Sequence, residues 1–421
     1  MSSEGPGGDI YDIAVVGGGA AGAMAAIRSS ELGKRVVLVE RNDAIGKKIL
    51  ITGKGRCNLT NTAPIEEFIG RFGRQGKFLR SAFYAFFNED LIEFFRSRGL
   101  EVKAERQGRV FPATDKARSV VDVLEKSLAD NQVEVRYNAR MAAIKRSGDT
   151  FLLELQNGET IKAKHVILAT GGASYKVTGS SGDGFRIAEE LGHSIAPLKP
   201  ALVPLKTEEG WIKDLQGLGL ENIRVTFKCG KKSMVSGIGE LMFTHFGVSG
   251  PLVLDMSGDV IDLLKDHKAA QLFIDLKPAL RPTQLEGRLL NDFMANGKAQ
   301  VKTVMKGYLP QRLIDIFLVL SGVKAIKEVS QITQGERRAI VGLFKALPLT
   351  VTGALPLEEA MVTGGGVTTT EIDPRTMESK VVPGIYFAGE MIDGSAASGG
   401  YNLQQAFSTG YLAGQSAARS T

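Results

Sequence analysis

An apolar run over residues 9–16 passes directly into Gly17-Gly18-Gly19-Ala20-Ala21-Gly22 and then into a small-residue stretch, 23–32, that predicts a helix. A second apolar run, 35–39, ends in Glu40, so the first forty residues read as strand, turn, helix and strand, the size of a βαβ unit. Residues 47–61 are Gly-rich and basic without a period, which predicts a long loop, and loops of that length tend to carry function. Helical periodicity follows over 76–98 and 117–131. In the first of these Phe83, Phe86, Phe87, Leu91, Phe94 and Phe95 share one stripe, which reads as core packing. Strand alternation returns over 133–137, 151–156 and 160–170, the last run ending at Gly171-Gly172.

From Pro197 the pattern changes to short β-like segments, 201–206, 222–229, 241–244 and 271–275, separated by Gly and Pro. Residues 281–347 are helical again, and from Thr363 a Gly-rich strand pattern resumes and ends in a helix over 403–419. The chain therefore reads as a discontinuous fold with an insertion. A first domain covers 1–196, a β-rich module 197–280 and a helical cap 281–347, and 348–421 returns to the β module and the first domain. No repeat of fixed period is present.

Composition changes this picture in two ways. Gly contributes 50 of 421 residues, well above the roughly 7% of ordinary usage, yet shows no Gly-X-Y period, so these glycines mark turns and close approaches. Cys57 and Cys229 are far apart and form no CxxC pair, which excludes a disulfide framework and a zinc ribbon and fits a cytoplasmic protein. The N-terminal MSSEGPGG lacks the basic and apolar regions of a signal peptide, and no stretch approaches the roughly 18 apolar residues of a membrane span.

The Gly-x-Gly-x-x-Gly element sits at a strand end and a helix start, where its chemistry requires it. Gly17 permits the tight turn, Gly19 lets the backbone approach a diphosphate, and Gly22 allows close packing of helix on strand. The amides of Ala20 and Ala21 open the helix toward the anion. Glu40, about 20 residues on, is placed to accept hydrogen bonds from a ribose diol. The long basic loop that follows departs from the regular β-α alternation of an NAD domain. Two later segments, the strand 165–169 with Thr170-Gly171-Gly172 and the run 385–390 with Gly389-Glu390, resemble those of FAD enzymes related to glutathione reductase and fumarate reductase.

The segments KKILITGKGRCNLTN (47–61), TGSSGDGFRIAEELGH (178–193), GELMFTHFGVSGP (239–251), TGGGV (363–367) and GEMIDGSAASGGYNLQQAFSTG (389–410) closely resemble the BaiN/RdsA family of NAD(P)/FAD-dependent oxidoreductases. The resemblance implies an α/β fold: a two-part Rossmann-like FAD-binding domain with an inserted β-barrel-like module and a small helical cap. It implies FAD as cofactor, with Arg41, Lys48, Thr52, Gly53, Arg56, Cys57 and Asn58 beside it. Met141, Ala169, Thr170, Gly171, Gly389 and Glu390 belong to the same expected set, and the amides of Asn402 and Leu403 are expected at the flavin pyrimidine edge. A helix N-terminus there would stabilise the negative charge of the reduced ring. The loop 179–184 is expected over the flavin edge, and, since no second dinucleotide fingerprint occurs, the reductant is expected to be NADH or NADPH docking transiently or else a donor that is not a nicotinamide.

Cys57 reads either as a proton donor whose thiol Arg56 or the flavin loop tunes, or as a small packing residue. His245 reads either as a general acid/base or as an ordinary histidine, and His165, His193 and His267 have no partners at metal-ligand spacing, so no metal is expected. The net charge of +6 is local: 16 Lys+Arg face 9 Asp+Glu over 41–118 and 11 face 5 over 281–345, whereas 346–421 carries 3 against 7. That pattern fits a solvated basic face or a polyanionic partner such as ribosomal RNA. Family resemblance implies reduction of uridine in 23S ribosomal RNA, reduction of a bile-acid C=C bond, or oxidation of a small amino ketone. A non-catalytic flavin-containing RNA-binding factor is the alternative of another class.

Overall fold

The computed structural model describes residues 10–421, so the polar N-terminal stretch read above lies outside the described residues. The chain forms two compact units, one of residues up to Ala201 together with Leu357–Thr421, the other Leu202–Pro356.

The first unit is built on strand β1 (Tyr11–Val16), helix α1 (Ala20–Glu31) and strand β2 (Val36–Val39). β2 is buried along its whole length, as an unbroken apolar strand in a parallel sheet requires. β1 pairs in parallel with β2 on one side and with Thr160–Leu168 on the other, in register Ile13 to His165 and Val16 to Leu168. The C-terminal half of Thr160–Leu168 pairs in parallel with Ile385–Phe387, while its N-terminal half continues antiparallel into Thr150–Leu155 and then Met141–Ser147. The last part of the chain thus returns to the centre of the sheet that the first part began.

The C-terminal helix, Tyr401–Ser420, lies directly on α1. A Cβ at Gly410 would stand 2.2 Å from the Ala21 carbonyl oxygen, and one at Gly414 would stand 2.4 Å from that of Ala25. Two glycines one helical turn apart therefore let the backbones of the two helices touch through small residues. This contact sets the N-termini of both helices against one cleft.

The periodic stretch 76–98 is two helices, Gly76–Ala85 and Asn88–Arg96, rather than one. Phe86 is extended, and the Asp90 carboxylate accepts the Phe87 N–H (2.7 Å) to start the second helix. The aromatic stripe packs as read: Phe83 against Phe68 and Phe72, Phe86 stacked on Tyr411, and Phe95 edge-on to Phe407. The stretch 47–61 also departs from a plain loop, forming a short helix, Lys47–Ile51, and a strand, Thr60–Asn61.

In the second unit, strands Gly219–Cys229, Gly239–Phe243, Gly247–Ser249, Leu205–Thr207, Leu347–Ala354 and Ala270–Asp275 pair in that order. Ala270–Asp275 also pairs with Gly219–Cys229, closing a six-stranded barrel. Helices Pro282–Ala295, Gln311–Ser321 and Gln334–Lys345 share its core through Leu289, Phe317 and Phe344, so the β-rich and helical stretches form one unit. Pro282 occupies the first helical position, and Thr333 and Glu336 cap the last of these helices reciprocally, with Glu336 Oε2 accepting the Thr333 N–H at 2.8 Å. Among the described residues no helix is long and apolar enough to cross a membrane.

Candidate functional site

β1 ends at Gly17, whose φ of +104° turns the chain into α1. A Cβ at Gly17 would stand 2.5 Å from the Ala169 carbonyl oxygen and one at Gly22 1.8 Å from that of Gly17, so both glycines serve close backbone packing. At Gly19 the space is open. Gly19 is also the N-cap of α1 and brings no side-chain acceptor, leaving the first-turn amides directed at the cleft.

Residues from both the early and the later segments of the chain line that cleft. Gly17, Gly19, Ala20, Ala21, Glu40, Arg41, Lys48, Thr52 and Met141 line it. Ala169, Thr170, Gly171, Gly389, Glu390, Asn402 and Leu403 complete its wall from the later segments. Glu40, 6% exposed, accepts the Gly18 N–H on Oε2 (2.6 Å), and on Oε1 the Asn42 backbone N–H (2.8 Å) and Nδ2 (2.7 Å). A carboxylate offers about four lone-pair sites, so three internal donors orient Glu40 and leave capacity for a ligand hydroxyl.

The wall next to Glu40 is electrostatically tied. Arg41 Nη1 donates to Ser181 Oγ (2.6 Å), and Arg140 donates through Nε (2.7 Å) and Nη2 (2.9 Å) to the two oxygens of Asp183. The Arg140 fork holds the Asp183 carboxyl below the usual carboxylate range against the opposing effect of burial. The loop 179–184, expected over the flavin edge, is therefore bonded to Arg41 beside Glu40. Thr178 likewise accepts from Asn42 Nδ2 at 3.1 Å.

Glu390 is committed to its own chain. Oε1 accepts the Thr363 N–H (2.7 Å), and Oε2 accepts from Lys48 Nζ (2.7 Å) and the Gly172 N–H (3.3 Å). Its effect is to fix the Lys48 ammonium, which also donates to Ser174 Oγ (2.9 Å), in the cleft wall. The C-terminal helix begins at Gly400, φ +99°, again without a side-chain cap. A Cβ there would stand 2.3 Å from the Thr60 carbonyl oxygen, which ties the helix start to the strand after the basic loop. Asn402 does not cap the helix: its Oδ1 accepts the Ala396 N–H (2.9 Å) and its Nδ2 donates to the Ala396 carbonyl (2.9 Å), closing the 396–402 turn.

Several expected residues stand elsewhere. Gly22, Gly53, Arg56, Cys57 and Asn58 do not line the cleft. Arg56 pairs with Glu105 and with Asp115 (2.6 Å) and lies 4.1 Å over the Phe111 ring. Cys57 is fully buried, and burial pushes its thiol up to about 12, which fits the reading of a small packing residue and not that of a proton donor tuned by Arg56 or the flavin loop. His245 belongs to the second unit, where its exposed ring meets Phe246 edge-on. Conversely Asn42, Lys47, Arg140 and Gln405 line the cleft without having been anticipated. Asn42 was within reach, two residues past Glu40 in a strand-end turn, whereas nothing local marks Arg140.

Comparison with known proteins agrees with this geometry. Residues 11–416 match the family model described as HI0933-like protein Rossmann domain. The 3-dehydro-bile acid delta(4,6)-reductase of Clostridium scindens is 34% identical over 408 residues, covering 96% of this chain and 98% of that protein. The ribosomal RNA dihydrouridine synthase of Escherichia coli is 29% identical over 405 residues, covering 96% and 97%. Among solved structures, a 3-ketosteroid delta1-dehydrogenase from Sterolibacterium denitrificans superposes with a TM-score of 0.54 at 14% identity, covering 98% of this chain and 100% of that one. A flavocytochrome c3 fumarate reductase superposes with a TM-score of 0.53 at 17% identity, covering 98% and 78%. At these identities the structures show the fold, a Rossmann-type FAD-binding domain.

Proposed function

Because the chain belongs to the HI0933-like family, the BaiN/RdsA group of flavin-dependent oxidoreductases, we propose that it holds FAD in the cleft of its first unit and reduces a carbon–carbon double bond conjugated to a carbonyl. The observation that carries this reading is the convergence of two uncapped helix N-termini on one cleft, with a preoriented carboxylate at its side. Bound FAD supplies a two-electron carrier that accepts and releases hydride.

The chain's own groups do the rest. The amides after Gly19 hold the diphosphate and Glu40 accepts a ribose hydroxyl. The amides at the start of Tyr401–Ser420 oppose negative charge at the pyrimidine edge, and Lys48, fixed by Glu390, adds a positive charge to the wall. NADH or NADPH is the proposed reductant, docking transiently. The names of both relatives describe hydrogenation of a C=C bond, in a steroid skeleton and in a uracil ring.

Within that class we place uridine of 23S ribosomal RNA first, supported by the basic excess over 41–118 and 281–345, which suits a phosphate backbone. A small bile-acid-type enone is the second reading, favoured by the higher identity to the reductase, 34% against 29%. A cytoplasmic setting accords with two buried free cysteines. Deleting the gene and mapping dihydrouridine in 23S ribosomal RNA tests the first reading. Loss of one dihydrouridine supports it, and an unchanged map refutes it.

A further inference from the structure

Reduction of a base within a polynucleotide needs more than a cofactor cleft: the base has to leave its stack, and the phosphates on either side of it have to be held outside. Three segments of the first unit border the end of the cleft where the C-terminal helix begins, and their charge is one-sided.

The turn 394–400 leads into that helix, and Gly394, Asn402 and Leu403 line the cleft there. At one end of the turn a Cβ on Gly394 would stand 3.1 Å from the Gln75 Cβ, and Gln75 Nε2 donates to Asp393 Oδ2 at 2.5 Å. Segment 71–77 is thereby fixed beside Gly394, and the Arg71 guanidinium lies 5.5 Å over the ring of Tyr401, the first residue of the helix. At the other end Asn61 Nδ2 donates to the carbonyls of both Gly399 (3.1 Å) and Gln107 (2.9 Å), so one side chain joins segment 106–109 to the helix start. The third segment, 52–55, begins at Thr52 in the cleft wall. Gly53 and Lys54 are both left-handed there (φ +57° and +59°), and the Cys57 N–H closes the turn on the Thr52 carbonyl at 3.0 Å.

These segments carry six basic residues, Lys54, Arg71, Arg74, Lys77, Arg106 and Arg109, and no Asp or Glu. The carboxylates adjacent in the chain are engaged, Glu105 by Arg56 and Glu67 by Arg71 (2.8 Å). Lys54, Arg74, Lys77 and Arg106 are exposed and make no ion pair with any described residue. Gathering uncompensated cations is unfavourable for the folded chain alone, and a polyanion laid across them removes the repulsion. Arg74 and Lys77 also run on along the helix Gly76–Ala85 into Arg80 and Tyr84, at three- and four-residue spacing. Arg80 shares an exposed pair with Glu66 (2.8 Å), and Tyr84 is 62% exposed. A basic row that ends in an open aromatic ring offers phosphates a track and a base a stacking face.

We propose that these segments form an RNA-docking rim, holding the phosphates that flank the nucleotide to be reduced while its base enters the cleft. The inference rests on the ribosomal RNA reading above and names the surface which that reading requires. Its contacts go to phosphate, so the rim supplies affinity and position and leaves the choice of base to the cleft.

The test uses the FAD-loaded full chain and 23S ribosomal RNA transcribed in vitro, with affinity followed by filter binding from about 50 to 200 mM KCl. The combined variant Arg74→Gln, Lys77→Gln, Arg106→Gln is expected to keep the parental flavin content and melting temperature. It is expected to bind the RNA about 10- to 100-fold more weakly at about 100 mM KCl, and to lower the slope of log affinity against log salt by about 2. A control variant, Lys231→Gln, Lys232→Gln, Lys268→Gln, removes the same charge from three exposed lysines of the second unit that make no ion pair with any described residue, and is expected to keep the parental affinity and slope. Should the combined rim variant lose its flavin, Arg74→Gln alone carries the test, with the slope lowered by about 1. A rim variant that binds with the parental affinity and slope, or a control that weakens as much as the rim variant, would overturn the proposal. Parental protein without salt-dependent affinity for this RNA refutes the ribosomal RNA reading itself, and the rim with it.

Discussion

The contact between α1 and the C-terminal helix makes a quantitative prediction, because it joins the two helix starts that frame the cleft. Replacing Gly414 by Ala puts a methyl carbon 2.4 Å from the Ala25 carbonyl oxygen and 3.0 Å from its Cα, both backbone atoms that cannot rotate away. Restoring ordinary contact requires the helices to separate by about 1 Å, and such overpacking costs about 1–3 kcal/mol. The alanine returns about 0.5–1 kcal/mol of helix propensity, leaving a net loss of about 1–2 kcal/mol. For a unit of this size that lowers Tm by about 2–8 °C. Gly258, within the helix Pro251–Leu264, has nothing within 4 Å of its would-be Cβ, so Gly258→Ala has only the propensity gain and raises stability by about 0.5–1 kcal/mol. Differential scanning calorimetry of the two variants reads both effects. If Gly414→Ala stabilises the protein as Gly258→Ala does, the helices do not touch as described.

Three further outcomes follow from particular residues. Glu40→Gln sets an amide nitrogen against either the Gly18 N–H or the Asn42 donors, and losing one charge-assisted bond, about 1.5–3 kcal/mol, weakens FAD binding about 10- to 100-fold by fluorescence titration. Native Cys57 resists iodoacetamide at pH 8 and reacts on unfolding, since a thiol at about 12 rather than 9.0 holds about a thousandfold less thiolate; rapid native alkylation would contradict its burial. His193 is buried between Glu371 (3.2 Å) and Ser379 Oγ (2.9 Å), and burial lowers its pKa although the Glu371 contact pulls the other way. The unfolded chain therefore binds the proton more readily. The contribution of His193 to stability is complete above about pH 6.5 and falls as pH drops below it, a slope that His193→Gln flattens in urea titrations.

What the sequence reveals about this protein divides along physical lines. The turn at Gly17, the helix after it and Glu40 are legible because each depends on backbone conformation within a few residues. The aromatic stripe is legible as core, but the break at Phe86 is not, because an Asp90 cap outweighs continuous periodicity. Cys57 read as either a proton donor or a packing residue, because a basic Gly-rich loop before it does not by itself choose between them. Its left-handed backbone, φ +62°, and the bond from its N–H to the Thr52 carbonyl (3.0 Å) turn that loop inward, and only the folded chain shows this. Gly410 and Gly414 carried a readable four-residue spacing. Their meaning depends on Ala21 and Ala25, almost four hundred residues away, and Arg140 depends in the same way on a partner that tertiary structure supplies.

The most direct test of the account is anaerobic: photoreduce the FAD-loaded protein, mix it with 23S ribosomal RNA lacking dihydrouridine or with a 3-oxo-Δ4,6 steroid, and follow the return of oxidised-flavin absorbance together with the product. The account predicts stoichiometric reoxidation by one of these acceptors, with two hydrogens gained across its C=C bond and ribosomal RNA the faster. Reduced protein that persists unchanged with both, while O2 reoxidises it, would contradict the claim that this cleft is built for C=C reduction.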